Sequence, residues 1–575
     1  MKANNPIPAS FSTSDGDIGT APNGGRAHQS LIAHTERLVL RTWKVRDGVW
    51  CVVGNGLSNQ TFVEGPEGLI AIDTGESIEE MTAALEMIRA ETKAPVAAVI
   101  YSHFHYTSGT KALFDVPDVP IWGHTRIEQN LGQAGTELSA VGARGLIHQF
   151  GIALPDEGED ALVNSGLGIG YRNKSHSPFT PGFIPPTHTF DSPTTTTLAG
   201  LRVELTPAPS DADDSVTIWF PELGVCVHNI VWPALFNVFA IRGEEYRDPR
   251  VLLAGIDHVL GLGAEHLVAS HGPPMSGTEP IRKEVTDYRD SIQYLWDQTV
   301  RGINKGLTVD ELSEFVQLPD RFGRSFLTQQ HYGLAEHHVK QIYTGLRGWF
   351  DGDESRLLPT PPVEKARRMI EGFGGTEEVR RQAREAVDDL DLRWALELSS
   401  WLVHCEEDDD GRADGGTAGD RQLLAFVLRE VAQRTTSANV RNWSLTRALE
   451  LEGRLDMDRH RVHRFSTGIV LNAPLKSLHA LRVLLDPIKA AGRHQHLLVE
   501  LGGVTGGMML RDGVAIPTDG SGADFSASMD VATWAAIMAS KAKLSDQLGS
   551  GAVRTDHPDD VAAFFACFDH AGLSA

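Results

Sequence analysis

Two histidines one residue apart, His103 and His105, are the residues whose type and spacing most clearly suggest chemistry. They follow the apolar segment Val96–Ile100, whose β-branched and small residues predict a buried strand. Side chains at i and i+2 of an extended chain point the same way, and neutral imidazole is the commonest metal ligand near pH 7. The pair therefore predicts a metal site at the end of a strand. The alternative is two ordinary loop histidines that alternate by chance.

Several elements upstream would position this pair. Alternating or continuous apolar residues predict strands near residues 41–45, 49–54, 60–63 and 68–72, the last ending in the turn Asp73-Thr74-Gly75. Residues 77–91 have helical apolar spacing, with Ser77 as the N-cap. Strands followed by a helix, a strand and then histidines indicate an α/β sandwich with ligands at the carboxyl ends of strands.

This order of elements resembles the metallo-β-lactamase superfamily, and within it the linear alkylsulfatases. The resemblance covers nearly the whole chain after the first 30 residues. It rests on the following segments, in chain order: Asp73-Thr74-Gly75, His103-Phe104-His105, Trp219-Phe220-Pro221-Glu222, Phe236-Asn237, Ile241-Arg242-Gly243, Arg247-Asp248-Pro249, Ser270-His271-Gly272-Pro273, His331-Tyr332-Gly333 and Gly348-Trp349-Phe350-Asp351-Gly352.

The resemblance implies an α/β fold class: a metallo-β-lactamase αββα sandwich, a helical dimerisation domain and an α+β sterol-carrier-like C-terminal domain. The expected boundaries are a flexible N-terminal arm at 1–34, the metallo-β-lactamase-like domain at 35–290, the helical domain at 291–440 and the sterol-carrier-like domain at 455–575. In that last domain residues 469–471 and 497–501 read as strands, and residue 530 opens a helix. In the helical domain, residues 377–403 have one long amphipathic pattern.

The chain departs from the family pattern at the metal ligands. The family binds two metals, whereas Thr107 and Ser108 replace an Asp and a His of its first motif. By residue count, Ser210 and Asn229 replace its two Glu ligands. Hydroxyls are poor ligands for divalent ions beside carboxylates and imidazoles. We therefore expect no binuclear site.

One metal remains possible in this reading. His103 and His105 need a third ligand, which either Asp211, from the acidic cluster 211–214, or His271 could supply. Two imidazoles with a carboxylate suit zinc and also non-haem iron, so the expected cofactor is one divalent metal, zinc or iron. The alternative for residues 211–214 is a solvated acidic loop, and the alternative for His271 is an ordinary loop histidine.

The same resemblance suggests substrate-handling residues. Asn237, Arg242 and Tyr332 are the expected substrate-binding groups, because a guanidinium presents a planar fork of donors to a sulfate. Thr107, Ser108 and Tyr332 are the expected catalytic groups. The alternatives are a structural ion pair for Arg242, with Asp248 or Glu244, and a structural hydroxyl for Tyr332.

Composition limits the partners. The net charge of −24 argues against nucleic acid and anionic membranes, and we expect a small anionic or amphiphilic substrate. Four scattered cysteines fit reduced thiols and a cytoplasmic location, and neither a signal peptide nor a membrane span is expected. The helical domain predicts a homodimer by resemblance.

Three functions follow from these observations. The first is a hydrolase of a sulfate ester or related anionic ester with one metal per site. The second is a mononuclear non-haem iron oxidoreductase on the same fold. The third is a catalytically inactive binding homologue. Retention of His103, His105, His271 and Arg242 favours an enzyme, and whole-chain resemblance places the hydrolase first.

Overall fold

The computed structural model describes residues 10–114, 119–134, 139–407, 415–460, 463 and 465–573. The chain forms two compact units. The first unit comprises Met1–Ile127 and Leu146–Asp456, and the second comprises Glu128–Gly145 and Met457–Ala575.

The strands of the described residues fall into four sheets. They are β1 (Ile18–Thr20), β2 (Arg26–His28), β3 (Arg41–Arg46), β4 (Val49–Val53), β5 (Gln60–Gly65), β6 (Gly68–Ile72), β7 (Val96–Ile100), β8 (Ile121–His124), β9 (His188–Phe190), β10 (Thr194–Leu198), β11 (Leu201–Pro207), β12 (Val216–Phe220), β13 (Val225–His228), β14 (His266–Ala269), β15 (Met275–Ser276), β16 (His494–Leu501), β17 (Val504–Arg511), β18 (Val514–Thr518) and β19 (Phe525–Met529).

The α-helices of the described residues are spread over the whole chain. They are α1 (Gln29–His34), α2 (Ile78–Ile88), α3 (Ile127–Ala134), α4 (Ser139–Phe150), α5 (Pro249–Gly261), α6 (Thr278–Ile303), α7 (Val309–Phe315), α8 (Ala335–Arg347), α9 (Pro362–Gly372), α10 (Thr376–Asp388), α11 (Leu392–His404), α12 (Ala418–Arg434), α13 (Ala438–Leu451), α14 (Thr467–Asn472), α15 (Pro474–Ala480), α16 (Val531–Met538), α17 (Leu544–Gly549) and α18 (Pro558–Phe565).

Two sheets face each other in the first unit. One has the strand order β3-β4-β5-β6-β7-β8-β9 and is parallel from β6 to β9; the other runs β10 to β15 in sequence. Their inner faces share one apolar core, with Ile70 and Ile100 from the first sheet and Leu205 and Val268 from the second. On the outer side, α5 and α6 pack on the second sheet and α2 contacts β5. The layers are therefore helix, sheet, sheet, helix, as expected for an αββα sandwich.

The predicted elements next to the histidines form for the predicted reasons. The Ser77 side chain accepts a hydrogen bond from the Glu80 amide at 3.1 Å and begins α2. Strand β7 is buried at its carboxyl end and pairs in parallel with β6 and β8. Parallel strands buried on both faces read as continuous apolar runs, which is why this strand was visible in the sequence.

The long amphipathic pattern of residues 377–403 forms two helices, α10 and α11, and not one. Leu390 adopts a left-handed conformation (φ 58°) between them, and the Asp391 side chain caps the start of α11 through the Trp394 amide. The apolar spacing continues across this break because both helices bury the same side against a common core.

The N-terminal segment from residue 10 to residue 34 contains β1, β2 and α1. Composition predicted a flexible arm there, but Arg441, fully buried in α13, donates hydrogen bonds to the carbonyl oxygens of Arg26 and Ala161. These long-range bonds order a segment whose own residues have weak structural preferences.

The second unit is an α+β fold around the four-stranded sheet β18-β17-β16-β19. The predicted strand near 497–501 and the predicted helix after Asp530 are present. The prediction of a strand at residues 469–471 is wrong, because these residues lie in α14, which Ser466 caps. A three-residue apolar run does not distinguish a strand from a buried helix. Among the described helices, none has the length and hydrophobicity needed to cross a membrane.

Candidate metal centre

Three side chains that could bind a metal converge at the carboxyl end of β7. His103 has an extended backbone, and the short 3-10 turn Phe104–Tyr106 then brings His105 beside it. Asp211 comes from the loop after β11, and its Oδ2 lies 2.8 Å from His105 Nδ1 and 3.3 Å from His103 Nε2. The two imidazole nitrogens are 3.1 Å apart, and all three ligand atoms lie within 4.8 Å of one another.

A buried carboxylate behind His103 fixes its orientation. Ser102 donates hydrogen bonds to Asp73 from its amide (2.8 Å) and its hydroxyl (2.7 Å). The hydroxyl therefore accepts from His103 Nδ1, 2.8 Å away, and the Nε2 lone pair faces Asp211. Burial lowers the pKa of His103, so the ring is neutral, the form that binds metals.

Arg247 holds Asp211 from the other side. Its Nη2 donates to Asp211 Oδ1 at 2.5 Å, its Nε to the Asp211 carbonyl at 3.0 Å, and its Nη1 to the Asn237 carbonyl at 2.7 Å. Burial alone would raise the pKa of Asp211, but Arg247 and then His105 outweigh it and hold this pKa well below its usual range. The Oδ1 atom of Asp211 thus accepts from Arg247, whereas its Oδ2 atom faces the two imidazoles.

Asn229, which residue count predicts to replace a Glu ligand, also contacts His103. Its Nδ2 lies 3.2 Å from His103 Nε2, and Trp232 Nε1 donates to its Oδ1 at 3.3 Å. The amide therefore presents its donor side to the imidazole. Ser210, the second residue predicted to replace a Glu, donates from its hydroxyl to the Asn229 carbonyl at 2.9 Å.

His271 lies outside this group of three. Its Nδ1 is 3.0 Å from the Leu57 carbonyl, and its Nε2 is 3.3 Å from the Tyr106 hydroxyl. Burial lowers the pKa of His271 to about 4. Of the two candidates for a third ligand, the structure brings Asp211, and not His271, to the two histidines.

Two of the expected substrate-binding residues, Arg242 and Tyr332, are linked through Gln149. Arg242 pairs with Glu244, which also pairs with Arg247, and lies over the Phe150 ring at 5.9 Å. Gln149 donates from Nε2 to the Tyr332 hydroxyl at 2.9 Å and accepts from the Arg242 amide at 3.2 Å.

Two buried polar groups of the expected substrate-binding residues have no described hydrogen-bond partner. They are the Nε of Arg242 and the side-chain amide of Asn237, and Asn237 is fully buried. Buried polar atoms normally have partners, so a polar ligand that reached these atoms would satisfy them.

The two hydroxyl residues after the histidines have different surroundings. Thr107 is buried, and its hydroxyl donates to the Phe104 carbonyl at 3.1 Å, closing the turn that carries His105. Ser108 donates from its amide to the Gly75 carbonyl at 3.0 Å. Thr107 therefore stabilises the histidine loop internally, and Ser108 ties it to the Asp73-Thr74-Gly75 turn.

Sequence reasoning missed four residues of this site: Arg247, Tyr106, and the Asp73–Ser102 pair behind His103. Arg247 lay in a segment noted only for its resemblance, and its position at Asp211 depends on tertiary structure. The Asp73-Thr74-Gly75 turn was visible, and a buried acidic turn beside a paired-histidine strand is a signal that could have been used.

Comparison with known proteins places this fold in a family. Residues 53–228 match the model of the metallo-beta-lactamase superfamily, and residues 308–454 match that of alkyl sulfatase dimerisation. A linear primary-alkylsulfatase of Pseudomonas sp. (strain ATCC 19151) is 36% identical over 408 residues, which cover 69% of this chain and 74% of that protein. An (R)-specific secondary-alkylsulfatase of Pseudomonas sp. is 28% identical over 573 residues, which cover 94% of this chain and 82% of that protein.

A solved structure agrees with these matches. The stereoselective inverting sec-alkylsulfatase Pisa1 from Pseudomonas sp. superposes with a TM-score of 0.81 at 26% identity, covering 94% of this chain and 87% of that one. The αββα sandwich with ligands at a strand end defines a metallo-β-lactamase fold, in a superfamily that uses divalent metals, typically zinc. The chain belongs to the alkylsulfatase-like family of that superfamily. The predicted family, the fold class and the enzyme class, metal-dependent hydrolase, are confirmed.

Proposed function

We propose that this protein hydrolyses a sulfate ester, or a related small anionic or amphiphilic ester, with one divalent metal held by His103, His105 and Asp211. The observation that carries this proposal is the convergence of three potential ligand atoms within 4.8 Å. Such convergence costs free energy unless a proton or a cation lies between the atoms.

The donor set fits a cation. Two imidazoles and one carboxylate are a usable set for zinc and for non-haem iron. Asp73 and Ser102 support His103, and Arg247 supports Asp211, in the manner of the outer partners that orient metal ligands. A cation would replace the Asn229 hydrogen bond to His103. Bound there, a divalent metal would supply Lewis-acid chemistry to the ester.

The protein's own groups would bind and polarise the ester. Arg242 offers a cationic fork whose Nε is free of described partners, next to the Phe150 ring. Because Gln149 donates to the Tyr332 oxygen, the Tyr332 proton is available to a substrate oxygen. Burial raises the pKa of Tyr332, so this hydroxyl stays protonated and acts as a donor. Thr107 and Ser108 remain predicted catalytic groups, and their contacts favour a role in positioning His105.

A metal analysis with a sulfatase assay tests the proposal. Protein purified without added metal should contain about one equivalent of zinc and release sulfate from a linear alkyl sulfate. His103→Ala should lose both properties, whereas His494→Ala, an exposed histidine of β16, should keep both. Full metal content in His103→Ala would refute the site.

The same donor set supports a second candidate, a mononuclear non-haem iron oxidoreductase. Two histidines and one carboxylate with open positions are typical of such iron sites. Iron in place of zinc, with no sulfate released, would favour this candidate. Absence of any metal, with no turnover, would favour the inactive binding homologue.

We also propose that the protein is a cytoplasmic homodimer. Large apolar side chains are exposed inside the segment that matches alkyl sulfatase dimerisation: Leu346, Trp349, Phe350, Leu357 and Leu358. Large exposed apolar patches mark protein interfaces, and these side chains would contribute to one. The described cysteines are all unpaired thiols, which supports a reducing compartment. A sterol-carrier-like role for the C-terminal domain stays a prediction.

A further inference from the structure

The Tyr106 side chain lies between His271 and the three converging ligands. Its ring centre is 5.0 Å from that of His103 and 5.5 Å from that of His271, edge-on to both. Tyr106 is 4% exposed and His271 1% exposed, so water does not compete for their polar atoms. One aromatic ring thus separates a third imidazole from the two at the centre.

Both nitrogens of His271 are engaged. The Leu57 carbonyl can only accept, so His271 Nδ1 carries the hydrogen of their 3.0 Å bond. His271 Nε2 then has only a lone pair, and the Tyr106 hydroxyl, 3.3 Å away, donates to it. This lone pair is the one that would otherwise be available to a metal.

The histidine loop itself fixes Tyr106. The Tyr106 carbonyl accepts from the Thr74 amide at 2.8 Å, and Tyr106 directly follows His105 in the same turn. Successive residues therefore point to different partners: His105 to Asp211, and Tyr106 to His271. The turn that places His105 beside Asp211 therefore also carries Tyr106, whose hydroxyl binds the fourth candidate ligand, His271.

We propose that Tyr106 keeps His271 out of the metal centre and so limits the metal to three protein ligands. This inference rests on the proposed metal site. A neutral buried imidazole is a good zinc or iron ligand, and four protein ligands would close the coordination sphere. Three ligands leave a position open, which is the arrangement of catalytic metal sites. Tyr106 is thus a positioning residue that preserves access to the metal.

Cobalt(II) binding tests this inference without relying on activity. The visible spectrum and affinity of cobalt are measured for the wild type and for Tyr106→Phe, Tyr106→Ala, His271→Ala and the double variant Tyr106→Ala/His271→Ala. In the wild type, His271→Ala should change the affinity less than twofold and leave the spectrum unaltered. Tyr106→Ala should raise the affinity at least tenfold and shift the spectrum, and His271→Ala in that background should remove the gain.

The possible outcomes separate the two proposals. If the wild type binds no cobalt, the metal site itself is wrong, and this inference falls with it. If the wild type binds cobalt but His271→Ala alone lowers the affinity tenfold, His271 is already a ligand and only the inference is overturned. An unchanged cobalt affinity in Tyr106→Ala overturns it as well. Should Tyr106→Ala fail to fold, the cobalt affinities and spectra of two other variants still test the inference. These are Tyr106→Phe, which removes only the hydroxyl, and His271→Ala.

Discussion

Replacing Asp211 with Asn is the most informative single change. The substitution keeps the shape of the side chain and removes the charge that faces both imidazoles and Arg247. Arg247 would keep its bonds to the Asp211 and Asn237 carbonyls and its ion pair with Glu244. Breaking a buried ion pair typically costs about 3–5 kcal/mol, so these remaining contacts place the expected loss near 3 kcal/mol. Loss of the carboxylate should lower zinc affinity by at least ~100-fold, because an amide oxygen is a weaker ligand.

Asp213→Asn is the matched control. Asp213 is two residues away and forms a partly exposed ion pair with Arg126 at 2.6 Å. Such pairs contribute about 0–1 kcal/mol, so the control should change stability little and zinc affinity not at all. Urea unfolding of the metal-free protein and competition with a zinc chelator measure the two effects. Equal stability and zinc affinity in the two variants would refute the placement of Asp211 at the metal.

Three further predictions follow from the same geometry. Asn229→Asp should raise zinc affinity about tenfold or more by turning a competing donor into a ligand, as measured by chelator competition; unchanged affinity would contradict the position of Asn229. Arg242→Ala should raise KM for an alkyl sulfate about 10- to 100-fold with bound metal retained; an unchanged KM would leave Arg242 as the structural partner of Glu244 only. Burial lowers the pKa of His34 from 6.5 to about 4. As the pH falls, His34 is therefore protonated in the unfolded chain before it is protonated in the folded protein. About 3 kcal/mol of the free energy of unfolding is lost as pH falls from 6.5 to 4. In His34→Phe, acid unfolding should be less steep over this range, and an identical profile would contradict the burial of His34.

Much of the fold was visible in the sequence because local signals agreed with the tertiary structure. The buried strand before His103, the Ser77 cap and the two histidines on one loop each depend on neighbouring residues only. The strand predicted at 469–471 failed because a short apolar run fits a buried helix equally well. The break at Leu390 was missed because the apolar spacing continues through it.

The site was only partly predictable for a different reason. The choice between Asp211 and His271 as a third ligand depends on which side chain the β11 loop and the β14 loop bring to the histidines. Tyr106 and Arg247 act through contacts 165 and 36 residues away in sequence. Such contacts depend on the packed fold, and no local residue pattern reports them.

The metal content of the purified protein tests the central claim most directly. Mass spectrometry of the native wild-type protein should find one divalent ion per chain, and His103→Ala should have none, while both remain folded by circular dichroism. Two ions per chain in the wild type, or one ion retained in His103→Ala, would contradict a single metal held by His103, His105 and Asp211.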